Sequence, residues 1–176
     1  TTQLASLAPT QFSSLPFTDM PALSTEQMAA LPATLFSALN SLQLQAMTPE
    51  QIESLSANQI AAISCTALRG MTATQCATLT STQLAALSTS QIPNLSLEAV
   101  AALSESQLSA LAPTQVASLS TAQIKSLQPT QLASLPQELI NALTSTQSAA
   151  LYTSQIVHLT STQISQMTLT QLSGLT

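Results

Sequence analysis

Residues 79–92 read LTSTQLAALSTSQI, so an eight-residue phrase is written almost twice in succession. The same phrase recurs in one register along all 176 residues, which divide into 22 octads. We number the positions of each octad from 1 to 8, and Thr1 occupies position 1 of the first octad. The consensus has Gln at position 3, Leu or Ile at position 4, Ala or Ser at position 6, Leu at position 7 and Ser or Thr at position 8.

The register is never shifted by an insertion or a deletion. Gln fills position 3 in 17 of the 22 octads, and Leu fills position 7 in 18 of them. The other residues at position 3 are Asp19, Leu35, Ala67, Ala99 and Leu139. This regularity predicts a single continuous array over residues 1–176. Neither end carries a polar capping repeat, so we expect the sequence to be a section of a longer array.

Each octad is predicted to form its own short helix. A continuous helix would turn its apolar stripe by about 80° per octad, because eight residues at about 100° each do not close a turn. A β-solenoid is the main alternative, but apolar positions 4 and 7 do not keep the period of two that a strand needs.

Position 8 is typical of a helix N-cap, since it is Ser or Thr in 14 octads. The Gln three residues later completes a capping box, so we interpret it as a device that starts a helix. Six of the seven acidic residues fall in the predicted first turns, where the helix dipole favours negative charge. The predicted fold is an all-α solenoid of 22 octapeptide repeats, each a short capped helix plus a tight turn. With one or two octads per layer, its length would be about 100 to 200 Å.

The composition argues against several classes of function. Only 5% of the residues are charged and the net charge is −5, so the basic surface that nucleic-acid binding requires is missing. The longest apolar run, residues 99–103, is too short to insert into a membrane. One His and two Cys provide no spacing for a metal site, and two glycines provide no phosphate loop. We therefore expect no enzyme activity, cofactor, metal or small-molecule substrate.

Runs such as LTSTQLAAL, LSTAQIKSL and LTSTQISQM resemble the LTxxQ[IVL]xxL octapeptide repeats of very large bacterial surface or secreted proteins, which are often adhesin-like. The resemblance extends over the whole chain. It implies an extracellular or cell-surface location and an extended, self-associating or adhesive role. It brings no active site with it.

Two small groups of residues are candidates for local chemistry. Ser148, Tyr152 and His158 either form a polar pocket, or Tyr152 fills the space lost at Ser148 while His158 lies at the surface. Cys65 and Cys76 belong to adjacent octads. They either form a disulfide across the irregular octad SCTALRGM, or remain a surface thiol and a small apolar core residue.

Three functional classes follow. The first is a structural rod, stalk or filament shaft that associates with itself end to end or laterally. The second is an ice-binding protein that uses an exposed row of Thr at position 2. The third is a helical solenoid that binds peptides or proteins. The candidate row consists of Thr66, Thr74, Thr82, Thr114, Thr130, Thr146, Thr162 and Thr170.

Overall fold

The computed structural model describes residues 6–175, and every regular element in that range is helical. Each octad from the second onward contributes one short helix, and an extended residue links it to the next. The α-helices are Pro9–Ser13, Thr25–Ala29, Ala33–Phe36, Ser41–Ala46, Pro49–Ser54, Ala57–Ala62, Cys65–Leu68, Ala73–Thr78, Ser81–Ala85, Leu97–Ala101, Glu105–Ser109, Pro113–Ser118, Thr121–Ser126, Pro129–Ser134, Gln137–Asn141, Ser145–Ala149, Thr153–Ile156, Ser161–Ser165 and Leu169–Leu172. The 3₁₀ helices are Phe17–Ala22 and Ile92–Asn94. The predicted all-α repeat solenoid is confirmed.

The helices begin where the capping pattern predicts. At the start of Thr25–Ala29 the Ser24 hydroxyl accepts a hydrogen bond from the Gln27 N–H, and the Ser24 N–H donates to Gln27 Oε1. Because Ser24 is extended, with φ −73° and ψ 159°, the chain cannot continue as one helix through the cap. The Glu26 carboxylate lies in the same first turn, and hydrogen bonding to Ser24 lowers its pKa. The local rule predicted from sequence therefore sets each helix start.

The helices wind into a superhelix with between three and four octads per turn. Each helix packs against the helix that lies three octads later, as Ala33–Phe36 does against Ala57–Ala62. Hydrogen bonds between turns join residues 28 to 31 positions apart, which reaches back to the fourth octad. The expectation of one or two octads per layer is therefore wrong. A third of a turn per octad lets each short helix lie directly above another.

This geometry also shortens the rod. The 22 octads make about six turns, and at an interhelical distance of roughly 8–10 Å the solenoid is about 50 to 70 Å long. Its accessible surface is 7990 Å², close to the ~8,100 Å² of an ordinary monomer of this mass. The length expected from the sequence was too great, because more octads share each turn than the repeat alone suggested.

The core is a continuous column of the side chains at positions 4 and 7. In a middle turn Val100 and Leu103 are 0% and 3% exposed. One octad buries only two such side chains, which contribute about 4 to 6 kcal/mol and do not offset the entropy of ordering eight residues. The stability of each octad therefore depends on the turns above and below it.

Position 6 is small because the turn below approaches it closely. A Cβ placed on Gly70 would lie 2.0 Å from the Ser41 carbonyl oxygen, and one on Gly174 would lie 3.2 Å from the Ser145 carbonyl oxygen. Both pairs join position 6 to position 1 of the octad three repeats earlier. The close packing that small residues predicted at this position is thus a contact with neighbouring backbone.

We expect Gly70→Ala to lower the free energy of unfolding by about 1 to 3 kcal/mol, because the added methyl group overlaps backbone that cannot rotate away. Gly174→Ala is the matched control, since its nearest neighbours lie at 3.2 Å. The change there should stay within about 1 kcal/mol. Urea denaturation followed by circular dichroism measures both. Equal effects would contradict the close approach at Ser41.

Candidate functional site

The Gln side chain at position 3 makes two sets of hydrogen bonds at once. Gln83 Oε1 accepts from the Thr80 N–H at 2.8 Å, which completes the capping box at the start of its own helix. Gln83 Nε2 donates to the carbonyl oxygens of Ile52, Glu53 and Leu55 at 3.0, 3.2 and 2.7 Å. These carbonyls end the helix four octads earlier. One carboxamide therefore joins the start of one helix to the end of another in the adjacent turn.

The same bridge recurs through the solenoid. In every case Nε2 donates to the position 7 carbonyl 28 residues earlier, at 2.6 to 3.0 Å. The bridging residues, all 7% exposed or less, are Gln43, Gln51, Gln59, Gln75, Gln83, Gln91, Gln107, Gln115, Gln123, Gln131, Gln147, Gln155, Gln163 and Gln171. We call this set the glutamine ladder.

The ladder pairs the polar groups that helix ends leave over. A helix start has N–H groups without intrahelical partners, and a helix end has such carbonyls. Oε1 takes one of the former, and the two Nε2 protons take two of the latter. A buried backbone group without a partner costs about 1 to 3 kcal/mol, so each bridge removes several such penalties. This is how very short helices can be packed inside a solenoid.

The octads that lack Gln support this account. Where the cap residue is proline, it has no N–H for Oε1 to accept from. Three of the five exceptions have such a cap, namely Asp19 with Pro16, Leu35 with Pro32 and Leu139 with Pro136. In the other two octads the cap hydroxyl still accepts from position 3, from Ala67 N–H to Ser64 and from Ala99 N–H to Ser96, each at 3.1 Å. Gln is thus absent mainly where its acceptor function has no partner.

The sequence predicted half of this arrangement. The capping role of Gln is confirmed, but its donation to the adjacent turn was missed. The available signal was that Glu never occupies position 3, although Glu completes a capping box as well as Gln does. A carboxylate accepts hydrogen bonds and donates none, so a column without Glu indicates that a donor is needed.

The three residues Ser148, Tyr152 and His158 do not form a pocket. Ser148 is 0% exposed and its hydroxyl has no hydrogen-bond partner among the described residues. Tyr152 is 54% exposed and lies beside Lys125, whose Nζ is 5.3 Å from the ring centroid. It therefore does not fill the space at Ser148, and that part of the packing interpretation is wrong. His158 is exposed, as expected, and Nδ1 lies 2.8 Å from the Ser154 carbonyl oxygen.

The two cysteines are free thiols in this structure. The Cys65 thiol donates to the Ser90 carbonyl oxygen at 3.3 Å in the next turn. Cys76 occupies position 4 in the core and is 0% exposed, and burial raises the pKa of its thiol to about 12. The disulfide that their spacing permitted is not formed, and Cys76 packs as a small apolar residue.

The candidate Thr residues are all exposed, but they do not share one face. Thr66, Thr74 and Thr82 belong to successive octads. With between three and four octads per turn, successive octads lie about a third of a turn apart. The position 2 hydroxyls are consequently spread around the solenoid, whereas the sequence suggested a single row.

One side of the solenoid collects both basic residues. Arg69, Leu97, Lys125 and Tyr152 follow each other at intervals of between three and four octads, so they lie in successive turns near one line. Arg69 lines an open cavity of about 390 Å³, and Leu97, Lys125 and Tyr152 line another of about 250 Å³. We call this surface the basic face. Its members are far apart in sequence, and the superhelix brings them together.

Residues 6–175 contain no group of three His, Cys, Asp or Glu that would hold a metal ion. Within the same range no helix has the length and apolar character needed to cross a membrane. In comparisons with known proteins, no family model matches this chain and no curated protein matches it either. The resemblance to octapeptide-repeat regions therefore rests on the motif alone.

Gln83→Glu separates the two roles of the ladder. Glu retains the acceptor for the Thr80 N–H but loses both protons for the carbonyls of the adjacent turn, and it buries a charge. We expect the free energy of unfolding to fall by about 2 to 5 kcal/mol at pH 7. Part of the loss should be recovered below about pH 4, where a protonated carboxyl donates again.

Thr82→Ala, an exposed neighbour at position 2, is the control and should be nearly neutral. Chemical denaturation at pH 7 and at about pH 3.5 provides both comparisons, since the carboxyl is charged at one and largely protonated at the other. If Gln83→Glu were as mild as Thr82→Ala, the capping bond alone would account for the Gln column.

The thiols give a second test. At about pH 8 iodoacetamide should modify Cys65 and spare Cys76, because Cys76 is buried and stays protonated up to about pH 12. Both should react in denaturant, as peptide mass spectrometry would show. The unfolded thiol ionises near pH 9.0, below its folded pKa, so the folded state should lose stability as the pH rises above that value. Two unreactive thiols in denaturant would instead reveal a disulfide.

Proposed function

We propose that this chain is a structural module, a segment of a rod, stalk or filament shaft in an extracellular surface protein that associates with copies of itself. The glutamine ladder carries this proposal. It repeats the same contact between every pair of turns that it joins, and it places no reactive group in a cleft. A molecule built in this way gains length when octads are added and gains no other property.

The dimensions favour use as a segment. A solenoid of about six turns is only about 50 to 70 Å long, so a long shaft needs more octads or more copies. Because each turn contacts mainly its neighbours, adding turns extends the structure without changing the turns already present. The extracellular location is proposed from the resemblance to repeats of bacterial surface proteins. Enzyme activity is no part of the proposal.

The alternatives have less support. Ice binding needs a flat array of hydroxyl and methyl groups, and the exposed Thr side chains are spread around the axis. Peptide binding has one observation in its favour, the basic face with its two open cavities. There the Glu98 carboxylate lines the same cavity as Arg69 and reduces the attraction for an acidic peptide. Thermal hysteresis in concentrated solution would favour ice binding over a structural role.

The structural role predicts that the array can be extended by fusion. Two copies joined directly keep the octad register, because 176 residues are 22 whole octads. We expect one continuous solenoid with a maximum dimension roughly twice that of the single chain and a higher melting temperature. Small-angle X-ray scattering and circular dichroism measure the two quantities.

The matched control has half an octad inserted at the junction, which shifts the second copy out of register. It should behave as two separate solenoids with the melting temperature of the single chain. If the fusion in register behaved like this control, the solenoid would not be extendable and the proposed shaft would be contradicted.

A further inference from the structure

We propose that two copies of this chain dock head to tail, with the first turn of one continuing the glutamine ladder of the last turn of the other. The inference rests on the proposed structural role and names the partner, the surfaces and the register. It is drawn from the contact that already joins the turns inside the chain. The end surfaces expose complementary halves of that contact.

The first described turn exposes the donor half. Gln11 and Gln27 cap their own helices through Oε1, which accepts from the Ala8 and Ser24 N–H groups at 2.8 Å. Within residues 6–175 no carbonyl accepts from Nε2 of either residue, and both are more exposed than the ladder residues. The position 7 side chains here, such as Leu15, are only partly buried, whereas those of later octads are 8% exposed or less up to Met167.

The last described turn exposes the acceptor half. Its carbonyls at positions 4, 5 and 7 accept from no Gln in the described range. Position 4 also loses its cover, since Ile164 is 36% exposed and Ile156 and Leu172 are partly buried, against 0% for Ile140 one turn earlier. Position 7 remains covered at this end, where Leu159 is 6% exposed.

The exposure pattern therefore has a direction. Position 4 is uncovered only at the last turn, and position 7 is most uncovered at the first. Inside the solenoid the carbonyls beside position 4 of one turn receive the Gln side chains of the next. The two ends consequently fit each other and not themselves, which defines a heterologous contact that propagates as an open filament.

The ladder spacing fixes the register of docking. Inside the chain, Gln171 bridges to the carbonyls of Ile140, Asn141 and Leu143. If the second copy is counted onward from Thr176, its Gln11 stands at the same three separations from residues of the first copy. The carbonyls that would accept from Gln11 are those of Ile156, Val157 and Leu159, and those that would accept from Gln27 are those of Leu172, Ser173 and Leu175.

Asp19 is the imperfect member of this end. In the same register its side chain faces the carbonyls of Ile164, Ser165 and Met167, and a carboxylate donates no hydrogen bond to them. Docking is therefore weaker than an internal turn contact. This difference offers a substitution that should strengthen assembly.

The test compares three variants of the 176-residue chain by sedimentation velocity and negative-stain electron microscopy over a range of concentrations. Wild-type chains should form unbranched filaments one solenoid wide. The double variant Gln11→Glu and Gln27→Glu should stay monomeric at concentrations at which the wild type assembles, because the donors are lost. Asp19→Gln should assemble at a concentration about tenfold lower, since it restores an amide.

The control variant is Gln45→Glu with Gln128→Glu, which adds the same two charges at exposed sites away from the ends. It should assemble as the wild type does. The Gln11 and Gln27 variant should also melt like the wild-type monomer in dilute solution, since Glu still caps both helices. That result would show that the lost assembly does not come from unfolding.

Wild-type chains that remain monomeric at millimolar concentration would overturn the proposal. Assembly of the Gln11 and Gln27 variant at the wild-type concentration would overturn it as well. Neither result affects the structural role, which depends on the covalent fusion in register. If the fusion forms one solenoid and single chains do not stack, only the docking is wrong.

Discussion

Each ladder glutamine carries out two tasks that usually fall to different groups. Its oxygen completes the cap of one helix, and its nitrogen closes the end of a helix in the adjacent turn, as Gln83 does between Thr80 and Leu55. Helices of about five residues leave most of their backbone groups without intrahelical partners. Packing them side by side would bury those groups at a large cost. The carboxamide makes such packing feasible, and the rest of the fold depends on it.

The ladder and the apolar columns determine the superhelix together. The side chains at positions 4 and 7 supply most of the stabilisation, but apolar contact alone does not fix how many octads make a turn. Nε2 must reach carbonyls in the fourth octad back while Oε1 stays on its cap, as at Gln171. Small residues at position 6 then let the backbones approach, as Gly70 and Ser41 show. Directional bonds set the geometry, and burial stabilises it.

The local structure followed from the sequence because its causes lie within one octad. Caps, first-turn acids and the spacing of apolar residues act over three or four residues, so Ser24 and Gln27 were predicted correctly. The number of octads per turn depends on contacts between residues more than three octads apart, and no single octad contains that information. The basic face was invisible for the same reason, since Lys125 and Tyr152 meet only after the superhelix forms. The absence of Glu at position 3 was the one local trace of the ladder.

The hydrogen exchange of the glutamine side-chain amides tests the ladder most directly. Nuclear magnetic resonance of ¹⁵N-labelled protein resolves these NH₂ groups, which in a dilute monomer divide into bridged and unbridged sets. The account predicts that interior amides such as Gln83 and Gln115 exchange far more slowly than those of Gln11 and Gln27, which have no acceptor in the described chain. If all the amides exchanged as fast as free glutamine while the fold stayed intact, the bridges would be absent and the account would be contradicted.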